Sequence, residues 1–140
     1  MPVIPYLFFD GHCEEALAFY KKALGAEIGM MVRFKDVPAG PEPGDCGGID
    51  PALLADKIMH AALQIDGTTV MASDGFARGK PSFSGFSLSI NGKTEADVDR
   101  IVAALAEGGE VDMPPDKTFF ARRFGTVKDR FGVSWMVICE

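Results

Sequence analysis

The sequence places one histidine where side-chain chemistry is possible. His60 lies in an apolar run and alternates with Ala62 and Gln64, so these three side chains share one face of an extended strand. A polar face on a strand in the middle of a sheet points either to a cavity or to solvent. A histidine can act as a general acid or base near neutral pH, whereas a single histidine without a visible partner is more often structural. His60 is therefore the candidate catalytic residue, with Gln64 as a candidate ligand-binding residue.

Three arginines could orient an anionic ligand, because a guanidinium group pairs with a carboxylate or phosphate through two hydrogen bonds. They are Arg33, Arg122 and Arg123. Adjacent residues on a strand point to opposite faces, so at most one of Arg122 and Arg123 faces inward, and Arg122 is kept as a candidate ligand-binding residue. The alternative for each arginine is a solvated charge.

Asp74 and the cysteines have structural interpretations that we prefer. Asp74 precedes a glycine and has the chemistry of a turn residue, and no second ligand at a matching spacing supports it as a metal ligand. The three cysteines, Cys13, Cys46 and Cys139, are odd in number and have no close pairing, so neither a disulfide framework nor a zinc knuckle is indicated. We expect small buried or loop residues in a reducing cytoplasm rather than nucleophiles.

Length and charge exclude several classes of protein. With 140 residues, of which 47% are hydrophobic and 24% charged, the chain is predicted to form a single globular domain. A net charge of −6 argues against nucleic-acid binding, which needs clustered Lys and Arg. No stretch approaches the roughly 18 to 20 uncharged apolar residues of a membrane span, and no secretion signal is evident, so we expect a cytoplasmic protein.

The first half of the chain predicts a strand, a helix and three further strands. Residues 3–9 read as a strand that ends at Asp10-Gly11, with Asp10 as a plausible N-cap, and an apolar stripe at helical spacing follows and ends at Gly25. Residues 26–34 form the next predicted strand, and the proline- and glycine-rich residues 37–51 a long loop. Residues 57–65 and 68–73 flank Asp66-Gly67, a strong hairpin signal.

The second half repeats this order after a turn-rich stretch at residues 74–82. Residues 83–90 alternate Phe86, Leu88 and Ile90, expected to pack against a helix, with small polar residues. Thr94 with Asp97 resembles a capping box and precedes a second helical stripe that ends at Gly108-Gly109. Residues 110–113, 118–127 and 133–139 are strand candidates, the last two joined by a turn at residues 129–132. The chain thus predicts two βαβββ modules, at about residues 1–75 and 82–140.

The paired modules, together with Phe19-Tyr20 and Leu24-Gly25 after the first strand and a late Asp-x-x-Gly hairpin, resemble the glyoxalase, bleomycin-resistance and dioxygenase superfamily, also called vicinal oxygen chelate. The resemblance covers nearly the whole chain. It implies an α+β, glyoxalase-like fold in which curved mixed sheets form a cup. Four strings are similar to the PhnB-like subfamily: Pro5-Tyr6-Leu7-Phe8-Phe9-Asp10-Gly11, Met59-His60-Ala61, Ala72-Ser73-Asp74-Gly75 and Asp129-Arg130-Phe131-Gly132-Val133-Ser134-Trp135-Met136.

The resemblance also implies four inward metal ligands, His or Glu, on the first and last strands of both modules. Matching strands gives Pro5, Met71, Gly85 and Met136, which lack suitable donors because Pro and Gly have none and a thioether suits copper. We therefore predict no metal or other cofactor. If Gly85 faces the cup, strand parity adds Ser87 and Ser89 as ligand-binding residues. If Met136 also faces the cup, Ser134 is a further ligand-binding candidate on the same side of its strand, and Trp135 points toward the core.

The leading hypothesis is a PhnB-like protein that binds a small molecule in the cup without a metal, because the expected ligand positions lack suitable donors while the cup itself would still form a pocket. The rival hypothesis is an enzyme of the vicinal-oxygen-chelate type, either an isomerase or lyase that uses His60 or a metal enzyme with ligands relocated around His60 and Asp74. Some similar proteins carry the label 3-demethylubiquinone 3-methyltransferase, but no strand is followed by a glycine-rich turn and helix suited to a nucleotide-like methyl donor. A homodimer is expected, because superfamily members commonly associate through these sheets and apolar strand edges need cover.

Overall fold

A computed structural model describes residues 2–36, 54–75 and 81–140, and it divides the chain into two compact units, Met1–Pro81 and Ser82–Glu140. The predicted loop at residues 37–51, which includes Cys46, lies outside the described residues, as do residues 76–80 of the turn-rich stretch. No helix in the described part of the chain is long and apolar enough to cross a membrane. The predicted α+β class and the βαβββ order of each module are confirmed.

Unit 1 contains β1 (Tyr6–Phe8), α1 (Cys13–Leu24), β2 (Glu27–Arg33), a short 3-10 turn (Phe34–Asp36), β3 (Ile58–Ile65) and β4 (Thr68–Ser73). The strand order is β1-β4-β3-β2, and β1 pairs with β4 in parallel while the other pairs are antiparallel. Helix α1 packs on β2 and β3 through its predicted apolar stripe. One face of the sheet is therefore covered by α1, and the opposite face is called the open face of unit 1.

Unit 2 contains β5 (Leu88–Asn91), α2 (Glu95–Leu105), β6 (Glu110–Asp116), β7 (Arg123–Lys128) and β8 (Ser134–Cys139). Its strand order, β5-β8-β7-β6, is equivalent to that of unit 1, with β5 and β8 parallel. Helix α2 packs on β6, β7 and β8. The close approach of α2 to β7 is possible because Gly125 has no side chain, since a Cβ there would lie 3.2 Å from Val102 Cγ2.

Several local structures agree with the sequence signals that predicted them. Gly25 ends α1 with φ 67°. Asp66 and Gly67 both adopt positive φ, as the two central residues of a tight hairpin require. Thr94 and Asp97 make the reciprocal hydrogen bonds of a capping box at the start of α2. Trp135 is 2% exposed, so its assignment to the core is confirmed.

Four strand predictions need correction at their ends. β6 extends to Asp116 instead of ending at Met113. β5 begins at Leu88 rather than at residue 83, since Gly85 has φ 81° and cannot belong to an extended strand; Phe86 is then 46% exposed instead of packing against a helix. β1 is shorter than predicted, and Val3 is exposed. β7 begins at Arg123, because Thr118 N donates to Ala121 O in a turn before it.

The predicted N-cap of α1 is also wrong. Asp10 has φ 51° and lies in the turn before the helix, and His12 is the N-cap without a side-chain hydrogen bond. The carboxylate of Asp74, at the end of β4, takes over the capping function: its Oδ1 accepts hydrogen bonds from Gly11 N at 2.9 Å and Cys13 N at 2.8 Å. The backbone N–H groups at the start of α1 therefore find their acceptor on a residue that is 61 positions away from Cys13 in the sequence.

Candidate functional site

The open face of unit 1 carries aromatic and thioether side chains around one histidine. In β1, Leu7 is buried beneath the sheet, whereas Tyr6 is 38% and Phe8 56% exposed. Tyr6 pairs with Met71 of β4, and Met71 pairs in turn with Ala62 of β3. The face therefore continues across three strands without a break in register. The remaining open-face positions follow from the same register: Thr69 on β4, His60 and Gln64 on β3, and Glu27, Met30 and Val32 on β2.

His60 has a partner that its sequence neighbourhood does not reveal. The hydroxyl of Tyr6 lies 3.0 Å from His60 Nδ1, within hydrogen-bond distance. The ring centroids of Tyr6 and His60 are 5.6 Å apart, and those of Tyr6 and Phe8 are 4.9 Å apart. Tyr6 thus contacts two neighbouring rings on the open face, and the imidazole is oriented by a hydrogen bond at one nitrogen.

Gln64, the candidate ligand-binding residue on β3, shares this face but is engaged locally. Its Nε2 donates to Thr69 Oγ1 on β4 at 2.6 Å, across a pair of directly opposed residues. The amide is half-buried, and this hydrogen bond fixes its orientation. Gln64 therefore lies on the same face as His60, four residues farther along β3, with its amide nitrogen already bound to a protein acceptor.

The strand register assigns two of the four expected metal-ligand positions to residues other than the predicted ones. Pro5 precedes β1, where its carbonyl accepts from Met71 N, and the β1 residue beside Met71 is Tyr6. Gly85 lies outside β5, and the residue beside Met136 is Ser89. A phenol, a hydroxyl and thioethers do not form the His and Glu donor set of these metal sites. Among the described residues, no group of three His, Cys, Asp or Glu side chains is placed to hold a metal ion.

The face of the unit 2 sheet opposite α2, called the open face of unit 2, carries several small hydroxyl groups. Ser89, Met136 and Thr126 occupy one row across β5, β8 and β7. Ser87 precedes β5, and its hydroxyl lies 2.8 Å from that of Ser134 on β8. The candidate ligand-binding residues Ser87, Ser89, Ser134 and Met136 therefore lie on one face of this unit.

None of the three arginines extends across an open face. Arg33 Nη1 and Nη2 form a two-pronged ion pair with Glu14 of α1, and Nη1 also donates to Asp56 O at 2.7 Å. The hydrogen bond from Arg33 lowers the pKa of Glu14 below its usual range. Arg123 donates to Asp99 of α2 at 2.9 Å and so points to the helix side. Arg122 remains as the member of its pair that does not face α2, and its Nε donates to Glu140 O at 2.6 Å.

The buried Asp74 and Cys13 serve the packing of unit 1 rather than its chemistry. Asp74 is 1% exposed, and its Oδ2 accepts a third backbone hydrogen bond from Ile58 N at 2.7 Å. A carboxylate engaged by three backbone N–H groups is not available as a relocated metal ligand. Burial, followed by the charges of Asp74 and Glu14, raises the pKa of the Cys13 thiol far above its usual range. The thiol stays protonated at neutral pH and does not act as a nucleophile.

A polar cleft of about 730 Å³ lies on the helix side of unit 1. Its charged groups mostly satisfy one another: Arg33 binds Glu14, and Lys35 Nζ lies 2.8 Å from Asp56 Oδ1. Lys57 Nζ donates to the backbone carbonyl of Gly11 at 3.0 Å. Because these cations already have protein partners, a ligand would have to break ion pairs to bind here. The open face of unit 1 is the better candidate site.

Comparison with known proteins identifies relatives over the full length of the chain. The protein YjdN of Escherichia coli (strain K12) is 36% identical over 138 residues, which cover 98% of this chain and 94% of YjdN. Protein PA1353 from Pseudomonas aeruginosa is similar in structure, with a TM-score of 0.82, 42% identity and coverage of 100% of this chain and 98% of that chain. A PhnB protein from Bacillus cereus, titled a putative 3-demethylubiquinone-9 3-methyltransferase, has a TM-score of 0.77 at 26% identity, with 100% of both chains covered.

More distant structures bear on the fold alone. A glyoxalase-related enzyme from Fulvimarina pelagi has a TM-score of 0.58 at 18% identity and covers 100% of this chain and 88% of that chain. The glyoxalase-like fold implied by the sequence is thereby confirmed. A family model described as 3-demethylubiquinone-9 3-methyltransferase matches residues 1–138. The chain therefore belongs to this family, in agreement with the resemblance to PhnB-like proteins that the sequence motifs carry.

Proposed function

We propose that this protein binds a small molecule on the open face of unit 1 without a metal ion. The observation that carries the proposal is the Tyr6–His60 hydrogen bond, which lies within a largely apolar surface. Ligand sites typically combine such a surface with a few oriented polar groups. Here the apolar surface comes from Tyr6 and Phe8, and from Met30, which is 44% exposed.

Metal independence is proposed from the donor chemistry of the open faces. The open-face residues at the register positions are Tyr6 with Met71 in unit 1 and Ser89 with Met136 in unit 2. Elemental analysis of the purified protein should find no stoichiometric divalent ion. A thermal scan with and without added Zn²⁺, Mn²⁺ or Mg²⁺ should show no specific increase in Tm. A saturable increase at one ion per chain would contradict this part of the proposal.

The binding site is tested by a fragment titration on ¹⁵N-labelled protein. Aromatic fragments should shift the backbone amide signals of β1 and β3 and leave those of the polar cleft unchanged. Phe8→Ser should weaken binding because it removes an exposed ring, whereas Phe119→Ser, which removes a fully exposed ring of unit 2, serves as the matched control. Shifts centred on Glu14 and Lys57 would place binding in the polar cleft and contradict the proposal. A weakening by Ser134→Ala would show that the serine face of unit 2 takes part.

An enzyme is the second candidate function, and the same hydrogen bond favours it. A general acid or base is often oriented by a partner at its second nitrogen, and Tyr6 supplies such a partner to His60. An isomerase or lyase using His60 is therefore the enzymatic alternative. A metal enzyme with ligands relocated to Asp74 is not supported, because that carboxylate already accepts three backbone hydrogen bonds. Turnover of any screened compound that is lost in His60→Ala, with binding retained, would favour the enzyme over the binding protein.

The description of the family as a methyltransferase is not adopted for this chain. Shared fold and ancestry do not transfer chemistry, and methyl transfer requires a site for the methyl donor. Titration with S-adenosylmethionine should therefore give no saturable binding. We also propose that the protein is cytoplasmic and a homodimer. Light scattering at working concentration tests the homodimer, and a monomeric mass would refute it.

A further inference from the structure

We infer that Tyr6 fixes the neutral imidazole of His60 with its hydrogen on Nε2, so that the open face of unit 1 selects an uncharged aromatic ligand with a carbonyl oxygen. This inference rests on the proposed function and names the ligand class of the same site. It is argued from a hydrogen-bond donor of fixed position, from neighbouring rings, and from the lack of Lys and Arg at the open-face positions of the four described strands.

The first step concerns the proton between Tyr6 and His60, which lie 3.0 Å apart at Oη and Nδ1. A neutral imidazole carries one hydrogen, on Nδ1 or on Nε2, and its other nitrogen is an acceptor. A phenol is a better donor than acceptor, because its oxygen lone pair is conjugated with the ring. Tyr6 therefore donates to Nδ1, and the neutral imidazole must carry its own hydrogen on Nε2.

The second step concerns what Nε2–H can reach. Within the described residues of unit 1, His60 has no other hydrogen-bond partner than Tyr6. A ligand that covers His60 without offering an acceptor would leave a buried N–H group unsatisfied, which is unfavourable. A ligand that places an oxygen lone pair there avoids this loss. The open face of unit 1 therefore favours ligands that place a hydrogen-bond acceptor beside Nε2 of His60.

The third step concerns charge and shape. The open-face positions of the four strands in unit 1 hold no Lys or Arg, and Arg33 lies on the opposite face, where it binds Glu14. Glu27 contributes a negative charge at the edge strand. A carboxylate or phosphate would therefore lose its hydration without gaining a counter-charge. The neighbouring rings of Phe8 and Tyr6, 4.9 Å apart at their centroids, instead offer stacking surface for a planar apolar group.

The experiment compares acetophenone, ethylbenzene and benzoate by titration of ¹⁵N-labelled protein. The three probes share one ring and differ in a neutral carbonyl, an ethyl group and a charged carboxylate. Acetophenone should bind more tightly than ethylbenzene by about threefold to tenfold, the range expected for one neutral hydrogen bond. Benzoate should bind no more tightly than ethylbenzene. Tighter binding of benzoate than of acetophenone would overturn the assignment of an uncharged ligand.

Two variants separate the hydrogen bond from the apolar contact. His60→Phe keeps a planar ring and removes both nitrogens, and Tyr6→Phe keeps the ring and removes the hydroxyl. Both should reduce the preference for acetophenone and leave ethylbenzene affinity nearly unchanged. The matched control is His12→Phe, which changes the other histidine, at the N-cap of α1. Equal weakening of both probes in Tyr6→Phe would indicate a merely structural role for the hydroxyl and overturn its positioning role.

The tautomer is measured without any ligand from long-range ¹H–¹⁵N correlations of the imidazole rings in the wild-type protein. His60 should show an unprotonated Nδ1 and a protonated Nε2, and the Nδ1 signal should move in Tyr6→Phe as its hydrogen bond is lost. A protonated Nδ1 in neutral His60 would overturn the inference.

The titration also separates this inference from the proposed function. Equal affinity of wild-type protein for acetophenone and ethylbenzene, with shifts on β1 and β3, would overturn the ligand class and leave the binding site intact. If none of the three probes shifted β1 or β3, the proposed function would fail together with the inference.

Discussion

Asp74 should be the most sensitive polar position in unit 1, because one buried carboxylate satisfies three backbone N–H groups on two different elements. Its Oδ1 accepts from Gly11 N and Cys13 N at the start of α1, and its Oδ2 accepts from Ile58 N at the start of β3. Asp74→Ala would leave these donors in a site that is 1% exposed. Each unsatisfied buried donor costs about 1–3 kcal/mol, so with partial relaxation we expect a loss of about 3–5 kcal/mol.

Asp74→Asn provides a graded test of the same reasoning. The amide oxygen can keep the two contacts of Oδ1, while the amide nitrogen faces Ile58 N as a second donor. We expect an intermediate loss of about 2–3 kcal/mol, from one broken charge-assisted hydrogen bond and the unfavourable donor pair. Asp112→Ala is the matched control, since Asp112 is exposed on β6 and should change stability by less than about 0.5 kcal/mol.

Urea unfolding followed by circular dichroism measures the free energy of unfolding, and hydrogen exchange locates the change. The amides of Cys13 and Ile58 should lose protection in both Asp74 variants, whereas the amide of Val133 in unit 2, which donates to Asp129 Oδ1 at 3.1 Å, serves as an internal reference. A loss below about 1 kcal/mol for Asp74→Ala would refute the reasoning, because it would mean that water or backbone rearrangement satisfies all three donors.

Three further predictions concern single features of the fold. Gly67→Ala should lower stability by about 1 kcal/mol in urea unfolding, because Gly67 has φ 84° in its hairpin; an unchanged midpoint would contradict that requirement. Thr94→Ala should cost about 1 kcal/mol through loss of the capping box, with Thr94→Ser restoring most of it. Cys13 should resist iodoacetamide in the native protein and react after unfolding, as peptide mapping would report, whereas rapid native labelling would show that its burial is not maintained.

Features that depend on a few consecutive residues could be predicted from the sequence. The apolar stripe of α1, its end at Gly25 and the capping box of Thr94 are all set by contacts within about one helical turn. The Asp66-Gly67 hairpin is equally local, because both residues tolerate positive φ. Gly85 shows where this reasoning fails: alternation of side chains continues through it, but its backbone does not remain extended.

The candidate site could be predicted only in part, because its central contact joins distant segments. His60 was identified from its residue type and strand face, but Tyr6 is 54 positions away, and its role depends on β1 lying parallel to β4 in one particular register. A shift of one residue turns every side chain of a strand to the other face. Matching Pro5 rather than Tyr6 to the expected ligand position therefore concealed the hydroxyl that orients His60.

The two modules share a backbone plan, and their open faces differ in chemistry. Tyr6 beside Met71 in unit 1 corresponds to Ser89 beside Met136 in unit 2, with the same parallel pairing. Exposed rings such as Tyr6 contribute less to folding than buried ones, because little of their apolar surface is removed from water. Substitution of Tyr6 should therefore change ligand preference with little loss of stability, whereas substitution of Asp74 should do the reverse. This contrast separates the residues that build unit 1 from those that give it a binding surface.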